Sequence, residues 1–350
     1  MQSLIHERFG EPEEVLHLAD QPVPELQADQ VRIRTLLAPI HHHDLWTVRG
    51  RYGYKPSFPA IGGSEAVGII DAVGAEVEHL QVGQRVAVAS VHGTWAEYFI
   101  APSRMVIPLP DAIPDEVAAQ LIAMPLSALM LLEFLQVNTD DWIIQNTANG
   151  TVGKTLAMLA QSRGVHSINL VRRDEAVAEL QALGIQHVVS TAQNGWQQQV
   201  EQIVAGAPIR AAVDSIGGQA SADLISLLGE NGTLVSFGTQ LGKPMQIASG
   251  DLIFKQATVK GFWGSKVSQN MSVADKKRLI TELMQRLVSQ ELKLPVEAIF
   301  PFAEIKHAVK RSLSSGKQGK VLLIQHTSPL KVAFLQAKST RYSIQSRMPT

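Results

Sequence analysis

The pattern of hydrophobic and polar positions changes about a third of the way along the chain of 350 residues. The first part contains short apolar segments separated by glycines such as Gly62, Gly63 and Gly74. The pattern predicts strands at residues 30–37, 66–73, 85–89 and 95–100. Many short strands with glycine turns between them favour a β-barrel-like domain.

From about residue 114 the pattern predicts strands that alternate with helices. An apolar helix is predicted over 115–134, followed by strands at 142–145, 167–171, 187–190, 211–214, 233–237 and 258–261. Helices are predicted between them at 152–163, 175–183, 196–204 and 220–228, and the end of the chain predicts a helix at 273–289, a strand at 298–301, a helix at 303–314 and a strand at 320–324. This alternation indicates an α/β fold with a parallel, doubly wound sheet, which binds ligands at the carboxyl ends of its strands.

Composition narrows the classes of function. With 45% hydrophobic residues the chain has enough apolar material for two domains. It has 31 Lys and Arg against 32 Asp and Glu, which argues against a nucleic acid as the main partner. It has no cysteine, so disulfides, thiol catalysis and cysteine-ligated zinc are excluded. No signal peptide or apolar run of ~20 residues is recognisable, and we therefore expect a cytoplasmic protein without a membrane partner.

A small-residue turn follows the strand predicted at 142–145. Asn149, Gly150, Thr151 and Val152 stand where the strand gives way to a helix. Small residues let a backbone approach a pyrophosphate, and the free N–H groups of a helix start attract its charge. Thr151 occupies a place where glycine is usual, so an ordinary strand-turn-helix is the alternative.

The next predicted strand ends in Arg172 and Arg173, 19 and 20 residues beyond Gly153. An NAD-specific site usually has an acidic residue there, whereas arginines suit the 2′-phosphate of NADPH. The sequence therefore predicts an NADPH site, in which the neighbouring Asp174 is a weaker candidate. A solvated basic pair at a strand end is the alternative.

Two segments, residues 58–68 (FPAIGGSEAVG) and 80–86 (LQVGQRV), resemble the medium-chain dehydrogenase/reductase superfamily. The resemblance implies a GroES-like β-barrel domain plus a Rossmann domain. It places the GroES-like catalytic domain at 1–112 and 269–326 and the Rossmann NADPH-binding domain at 113–268. Residues 327–350 are expected to be a loosely held tail.

Residues 38–53, 145–172 and 260–265 are most similar to the zinc-free trans-2-enoyl thioester reductases of the mitochondrial type. Where zinc-using relatives have Cys and His ligands, this chain has His41 and Ser64. Ser64 is a poor ligand, and we expect no metal. The resemblance also implies a homodimer formed through an edge strand near residues 245–258.

The resemblance implies that Tyr52 is the catalytic group. Hydride from NADPH would reach the β-carbon of an α,β-unsaturated thioester, and Tyr52 would donate to the enolate oxygen or to the α-carbon. Packing of Tyr52 at the rim of the site is the alternative.

The remaining expectations concern the cofactor and the substrate pocket. The resemblance implies that Phe237, Gly238, Thr239 and Gln240 form the loop beside the nicotinamide, that Phe262, Trp263, Gly264 and Ser265 line the site, and that Lys320 reaches the cofactor. Ordinary packing, or for Lys320 a solvated strand end, is the alternative. The resemblance also places Trp46, Met124 and Trp263 in the substrate pocket. At two of these positions, Trp46 and Met124, the chain departs from the family pattern. A quinone or enone reductase of the same fold, or a non-catalytic NADPH-binding protein, therefore stays open beside the enoyl thioester reductase.

Overall fold

The structure is a computed structural model that describes residues 1–325. The chain divides into two compact units. Unit 1 comprises Met1–Ala123 together with the described residues from Leu294 onward, and unit 2 comprises Met124–Lys293. None of the helices in the described residues is long and apolar enough to cross a membrane.

The elements follow one another in short segments. The strands are β1 (Gln2–His6), β2 (His17–Asp20), β3 (Gln30–Pro39), β4 (Ala60–Ile61), β5 (Glu65–Val73), β6 (Arg85–Ala89), β7 (Tyr98–Pro102), β8 (Val106–Pro108), β9 (Trp142–Gln145), β10 (His166–Val171), β11 (Val188–Ser190), β12 (Ile209–Asp214), β13 (Leu228–Ser236), β14 (Thr258–Gly261), β15 (Val296–Pro301) and β16 (Lys320–Ile324). The helices are α1 (Pro12–Val15), α2 (His42–Val48), α3 (Asp115–Ala118), α4 (Ala123–Phe134), α5 (Thr151–Ser162), α6 (Glu175–Gln181), α7 (Trp196–Val204), α8 (Gln219–Leu227), α9 (Ser249–Lys255), α10 (Gly264–Asn270), α11 (Val273–Val288) and α12 (Ile305–Leu313).

Unit 1 is built on two sheets. Within residues 1–325 one sheet has the strand order β2-β1-β4, and the other has the order β15-β16-β3-β5-β6-β8, with β7 also paired to β3. The strands of the larger sheet bury Val31, Ile33, Val86 and Val88 completely, and helix α12 adds Val309 to the same core. Alternating apolar positions on short strands therefore form the core of this unit.

Gly62 and Gly63 bring the chain into β5 past a buried tryptophan. A Cβ at either glycine would lie 2.3–2.4 Å from the ring of Trp95, so no larger residue fits. The Trp95 indole is completely buried and donates to the carbonyl of Pro39 at 3.1 Å. Because the backbone passes so close to Trp95, the positions of Ser64 and Glu65 directly after the turn are fixed.

Unit 2 contains a parallel sheet with helices between successive strands. In the described residues its strand order is β11-β10-β9-β12-β13-β14, and every neighbouring pair is parallel. This is the 3-2-1-4-5-6 order of a Rossmann fold. The predicted doubly wound sheet is thus confirmed, and its order brings the carboxyl ends of β9, β10 and β12 together.

One expectation about secondary structure differs from the structure, because the single helix predicted over 115–134 is interrupted between α3 and α4. The two compact units change at Ala123 and Leu294. The domain boundaries expected at residues 112 and 269 stay a prediction. Helix α11 stays with unit 2 because Glu282 binds Arg163 at 2.7 Å and Arg278 binds Glu133 at 2.7 Å. The expected tail at 327–350 lies outside the described residues.

Candidate active site

A small pocket of about 50 Å³ in unit 1 is lined by aromatic and polar side chains. The lining includes Tyr52 and Tyr54 from the loop after α2, together with His43, Ser64 and His92. The rings of Tyr54 and His92 stack at 3.7 Å, and those of His43 and Tyr52 lie 5.6 Å apart. The pocket thus combines flat rings with groups that can donate protons.

A hydrogen-bonded chain runs from Asp44 through Ser64 to His43 in this pocket. The Ser64 hydroxyl donates to Asp44 Oδ1 at 2.6 Å, and His43 Nε2 lies 2.7 Å from Ser64 Oγ. The other carboxylate oxygen, Asp44 Oδ2, accepts the backbone N–H of His41 at 2.9 Å. That bond ties Asp44 to the first turn of α2, as a carboxylate near a helix start commonly does.

A second polar cluster is buried beside this chain. His41 and Glu65 are completely buried, and Lys320 is 8% exposed. Lys320 Nζ lies 3.3 Å from His41 Nδ1, and His41 Nε2 lies 2.7 Å from Glu65 Oε2. Because an ammonium can only donate, Nδ1 accepts and Nε2 donates to the carboxylate. A neutral imidazole therefore joins a buried cation to a buried anion.

Burial controls the protonation of this cluster. It raises the pKa of Glu65 to about 7, although the N–H groups of Ala123 and Ile122 and the charge of Lys320 act in the opposite direction. It lowers the pKa of Lys320 to about 8 against the attraction of Glu65 and Asp44. Burial and the charge of Lys320 also hold the pKa of His41 well below its usual range. His41 is therefore neutral at pH 7, as its hydrogen bonds require.

Glu65 also organises the chain where α4 begins. Its Oε1 accepts the backbone N–H groups of Ile122 and Ala123 at 2.7 and 2.9 Å. These donors lie at the start of a helix and lack acceptors within it. A side chain from β5 thus caps a helix that starts 58 residues later in the sequence.

In unit 2 the turn predicted to bind pyrophosphate connects β9 to α5. Thr147 has the left-handed φ of 52°, and the helix begins at Thr151 after Gly150. A Cβ at Gly153 would lie 2.7 Å from the Cα of Ala148, so this glycine allows α5 to pack closely on the turn. The first turn of the helix leaves N–H groups without intrahelical acceptors, which suits an anion.

Buried amide and carboxyl side chains hold this turn in place. Gln145 donates to the Gly153 carbonyl at 2.8 Å and to the Asn169 side chain at 2.7 Å. Asn146 donates to Asp214 at 2.7 Å and accepts the N–H of Ser215. Three strand ends are therefore tied together by side chains that are themselves shielded from water.

A cavity of about 200 Å³ lies at the carboxyl ends of the same strands. Thr147, Arg172, Thr191, Trp196 and Asp223 are among the residues that line it. Arg172 has no ion-pair partner among residues 1–325. A close-packed glycine, a helix start and a guanidinium without an ion-pair partner in residues 1–325 together suit a phosphorylated dinucleotide.

Arg173 differs from its neighbour. Its guanidinium lies 3.5 Å from Glu179 and 3.6 Å from Glu175, both on α6. Arg172 lines the cavity and Arg173 is not among its lining residues. Arg172 and Arg173, which are adjacent in the sequence and were predicted to act as a pair, therefore have different surroundings.

Comparisons with known proteins give the family. The sequence model of the alcohol dehydrogenase GroES-like domain matches residues 27–111, and that of the zinc-binding dehydrogenase matches residues 151–280. The mitochondrial enoyl-[acyl-carrier-protein] reductase of Arabidopsis thaliana is 31% identical over 92% of this chain and 87% of its own length. The human protein of the same name is 30% identical over 92% of this chain and 88% of its own length.

The chain belongs to the medium-chain dehydrogenase/reductase superfamily. Among solved structures of this superfamily, a protein from Bacillus thuringiensis described as a putative NADPH:quinone reductase has a TM-score of 0.85. It is 29% identical and the match covers 93% of this chain and 99% of that protein. The predicted superfamily, the GroES-like and Rossmann-like domains and the α/β class are thereby confirmed.

The name of one matching superfamily model raises the question of zinc. In this chain both nitrogens of His41 are engaged, one by Glu65 and the other by the buried ammonium of Lys320. Ser64 is engaged by Asp44 and His43. Among residues 1–325 no group of three His, Asp or Glu side chains is arranged to hold a metal ion. These donors do not fit a zinc site.

The other residues that the superfamily resemblance singled out fall in several places. Residues 237–240 form the loop after β13, where the N–H groups of Phe237 and Gly238 donate to the Asp214 carbonyl. Phe262 packs between Phe134 and Phe237, with ring distances of 5.3 and 5.8 Å, whereas Trp263 is 66% exposed. Gly264 and Ser265 begin α10, Asp174 precedes α6, Met124 lies in the first turn of α4, and Trp46 on α2 is 45% exposed.

Lys320 is not the solvated strand end that we considered. It lies at the start of β16 with its side chain buried against His41. Its expected reach to a cofactor stays a prediction.

Sequence reasoning missed two features of these sites. It did not identify Asp44, His43 and Ser64 as one chain, nor Gln145, Asn146 and Asp214 as a support for the turn. Polar residues at the carboxyl ends of otherwise apolar strands were a usable signal for the second group, because parallel sheets gather those ends at one edge.

Proposed function

We propose that this protein is an NADPH-dependent, zinc-independent reductase of activated C=C bonds. The observation that carries the proposal is Arg172, a cavity-lining guanidinium at the end of β10 without an acidic partner in the described residues. A guanidinium in this place favours a cofactor with a 2′-phosphate. The turn 149–152, the loop 237–240 and residues 262–265 would hold the rest of the cofactor.

The proposed substrate is a trans-2-enoyl thioester. Support comes from the two relatives named as enoyl-[acyl-carrier-protein] reductases, which match nine-tenths of this chain. It also comes from Tyr52, whose hydroxyl has no hydrogen-bond partner among residues 1–325 and whose ring lines the unit 1 pocket. A free phenol in such a pocket can donate to an oxyanion or protonate a carbanion.

In the proposed reaction the chemistry that NADPH would supply when bound is a hydride for the β-carbon of the substrate. The C=C electrons then move toward the thioester oxygen and produce an enolate. Tyr52 donates its hydroxyl hydrogen to this intermediate, and the proton is transferred to the α-carbon. Arg172 and the first turn of α5 hold the phosphates, and Tyr52 alone among these residues takes part in bond changes.

A quinone or enone is the second candidate substrate. The solved structure that is 29% identical is described as a putative NADPH:quinone reductase. In addition, the flat rings of Tyr52, Tyr54, His43 and His92 line the unit 1 pocket, and a conjugated ring can stack against such surfaces.

A substrate panel distinguishes these candidates. Crotonyl-CoA, p-benzoquinone and a cyclic enone are each supplied with NADPH and, in parallel, with NADH, and the oxidation of the nicotinamide is followed by absorbance. The proposal predicts the highest kcat/KM for crotonyl-CoA with NADPH. A clear preference for the quinone favours the second candidate. NADPH binding without turnover of any acceptor indicates a non-catalytic binding protein.

We also propose that the protein forms a homodimer through unit 2. Strand β14 lies at the edge of the parallel sheet in the described residues, and all four of its residues are exposed. The preceding helix α9 exposes Ile253 (67%) and Phe254 (83%). Analytical ultracentrifugation tests this interface. We expect a dimer for the wild type and a monomer for Phe254→Glu. A monomeric wild type would contradict the proposed homodimer.

A further inference from the structure

We propose that His43 is the proton-transfer group that restores the hydroxyl of Tyr52 after each turnover, and that Asp44 and Ser64 hold it in the required tautomer. The inference rests on the proposed function and deepens it. It assigns a role to three residues that the reaction as described above leaves unused.

The tautomer of His43 follows from its hydrogen bonds. Asp44 Oδ1 can only accept, so the hydrogen of the Ser64 hydroxyl is committed to it at 2.6 Å. Ser64 Oγ must then accept from His43 Nε2 at 2.7 Å, and Nε2 carries the hydrogen. In a neutral imidazole the other nitrogen, Nδ1, is consequently the basic one.

Nδ1 of His43 is available for proton exchange. It has no hydrogen-bond partner within residues 1–325, and the side chain is 25% exposed, so water can reach the ring. The rings of His43 and Tyr52 line the same pocket with centroids 5.6 Å apart. A ring that meets both water and the pocket can carry a proton from one to the other.

The carboxylate of Asp44 lies close to the His43 ring. Asp44 Oδ1 lies 3.5 Å from His43 Nε2, and the carboxylate side chain is 3% exposed. Protonation of Nδ1 leaves both the Nε2–H···Ser64 and the Ser64–H···Asp44 bonds unchanged. The chain therefore accommodates both protonation states without rearrangement, as a proton carrier requires.

The proton balance is complete. Hydride adds to the β-carbon, the hydroxyl proton of Tyr52 goes to the α-carbon, and the electrons of the broken O–H bond stay on the phenolate oxygen. His43 Nδ1 takes up one proton from bulk solvent and passes it to that oxygen, so that His43 returns to the neutral form with its hydrogen on Nε2. An imidazolium is a stronger acid than a phenol, so the second transfer runs downhill.

Several other titratable groups face His43 and bear on its pH dependence. They are His41, His42 and Asp44 on its own segment, Tyr52 on the following loop, Glu65 on β5 and His92. The test therefore compares variants at His43 itself and does not rely on the pH profile of the wild type alone.

The variant His43→Gln keeps a donor toward Ser64 and removes the titratable ring. We expect its kcat to fall about a hundredfold at pH 7 and its pH profile to lose one ionisation, with NADPH affinity unchanged. Ser64→Ala keeps the imidazole ring and removes the hydrogen bond that fixes its tautomer. We expect its kcat to lie between those of the wild type and His43→Gln. The matched control His79→Gln changes an exposed histidine outside the pocket and should keep the wild-type profile.

An independent readout is ¹⁵N NMR of the imidazole nitrogens. It should show neutral His43 with its hydrogen on Nε2, and a mixture of tautomers in Ser64→Ala. Hydrogen on Nδ1 in the wild type, or wild-type kcat and pH profile in His43→Gln, would overturn the role of His43 alone. A wild type that reduces no C=C acceptor would overturn the proposed function and this role with it. Circular dichroism and NADPH binding establish that each variant is folded.

Discussion

The two units place their polar groups in opposite ways. In unit 2 the buried side chains Gln145, Asn146 and Asp214 hold a backbone turn, and Thr147 and Arg172 line the cavity beside it. In unit 1 the side chains themselves face the pocket, and charged groups lie buried behind them. Binding of a phosphorylated cofactor needs fixed donors, whereas protonation of a substrate needs groups that change their charge.

This difference predicts which measurements respond to a change in each unit. Substitutions in the unit 1 pocket should change kcat and its pH dependence while leaving cofactor affinity intact. Substitutions at the edge of the parallel sheet should change cofactor affinity and selectivity with a smaller effect on kcat.

Tyr52→Phe should give the largest effect. It removes the proposed donor to the enolate and should lower kcat about 10²–10⁴-fold with crotonyl-CoA, with the KM for NADPH unchanged. Steady-state kinetics measure both constants. Tyr98→Phe, on strand β7 of the same unit, is the matched control and should keep wild-type kcat. Equal activity of Tyr52→Phe and wild type would remove Tyr52 from the reaction.

At pH 8, where Glu65 is largely ionised, Lys320→Met should cost about 1–3 kcal/mol of unfolding free energy. Removal of the ammonium leaves His41 Nδ1 without its donor and the buried Glu65 carboxylate without a compensating charge. Urea denaturation followed by circular dichroism measures the loss. Lys310→Met on the exposed face of α12 is the control and should change stability by less than about 0.5 kcal/mol. Equal stabilities of the two variants would show that the cluster carries no such charge pair.

The stability of unit 1 should depend on the ionisation of Glu65. Its pKa is about 7 in the folded protein against 4.5 for an ordinary glutamate. Between these values the folded state holds a proton that the unfolded chain has released, so this group's contribution to stability falls as pH rises from about 4.5 to 7.

The expected fall is on the order of 3 kcal/mol over that window. Glu65→Gln cannot titrate at this position, and the difference in unfolding free energy between wild type and Glu65→Gln isolates the effect from other carboxylates. Denaturation at several pH values measures it. A difference that does not change with pH would mean that Glu65 ionises normally in the fold.

Arg172→Ala should weaken NADPH binding about 10–100-fold and leave NADH binding unchanged, because it removes a hydrogen bond to a charged phosphate. Arg173→Ala is a close control. Its guanidinium is already paired with Glu175 and Glu179, and we expect less than about a threefold effect. Calorimetry with both cofactors measures the selectivity. Equal losses of NADPH affinity in the two variants would instead show that both arginines bind the 2′-phosphate.

The sequence predicted the Rossmann sheet well because its signals are local. Strand β9 and helix α7 agree with the predicted residues 142–145 and 196–204. Apolar strands and amphipathic helices alternate there, and each element can be recognised from its own residues. The pyrophosphate turn was recognisable for the same reason, although the supporting amides were not.

The unit 1 sites depend on residues far apart in the sequence. The run at 115–134 has a continuous helical pattern, yet the structure interrupts it where Ile122 and Ala123 donate to Glu65. Similarly, the strand predicted at 95–100 begins only at Tyr98, because Trp95 and Ala96 instead pair with β1. Periodicity carries no information about such distant partners.

Histidines 41–43 illustrate the same limit. The sequence shows three consecutive histidines and Asp44, and their spacing alone does not show which partner each side chain binds. The structure separates them, because His41 faces Glu65 and Lys320 whereas His43 faces Ser64.

Transfer of isotope to the product tests the proposed reaction most directly. Crotonyl-CoA is reduced with NADPH that carries two deuterium atoms at C4, and the butyryl product is examined by NMR. A parallel reaction uses unlabelled NADPH in deuterated water. The proposed reaction predicts one deuterium at the β-carbon from the cofactor and one at the α-carbon from solvent. Cofactor deuterium at the α-carbon, or no transfer to the thioester at all, would contradict it.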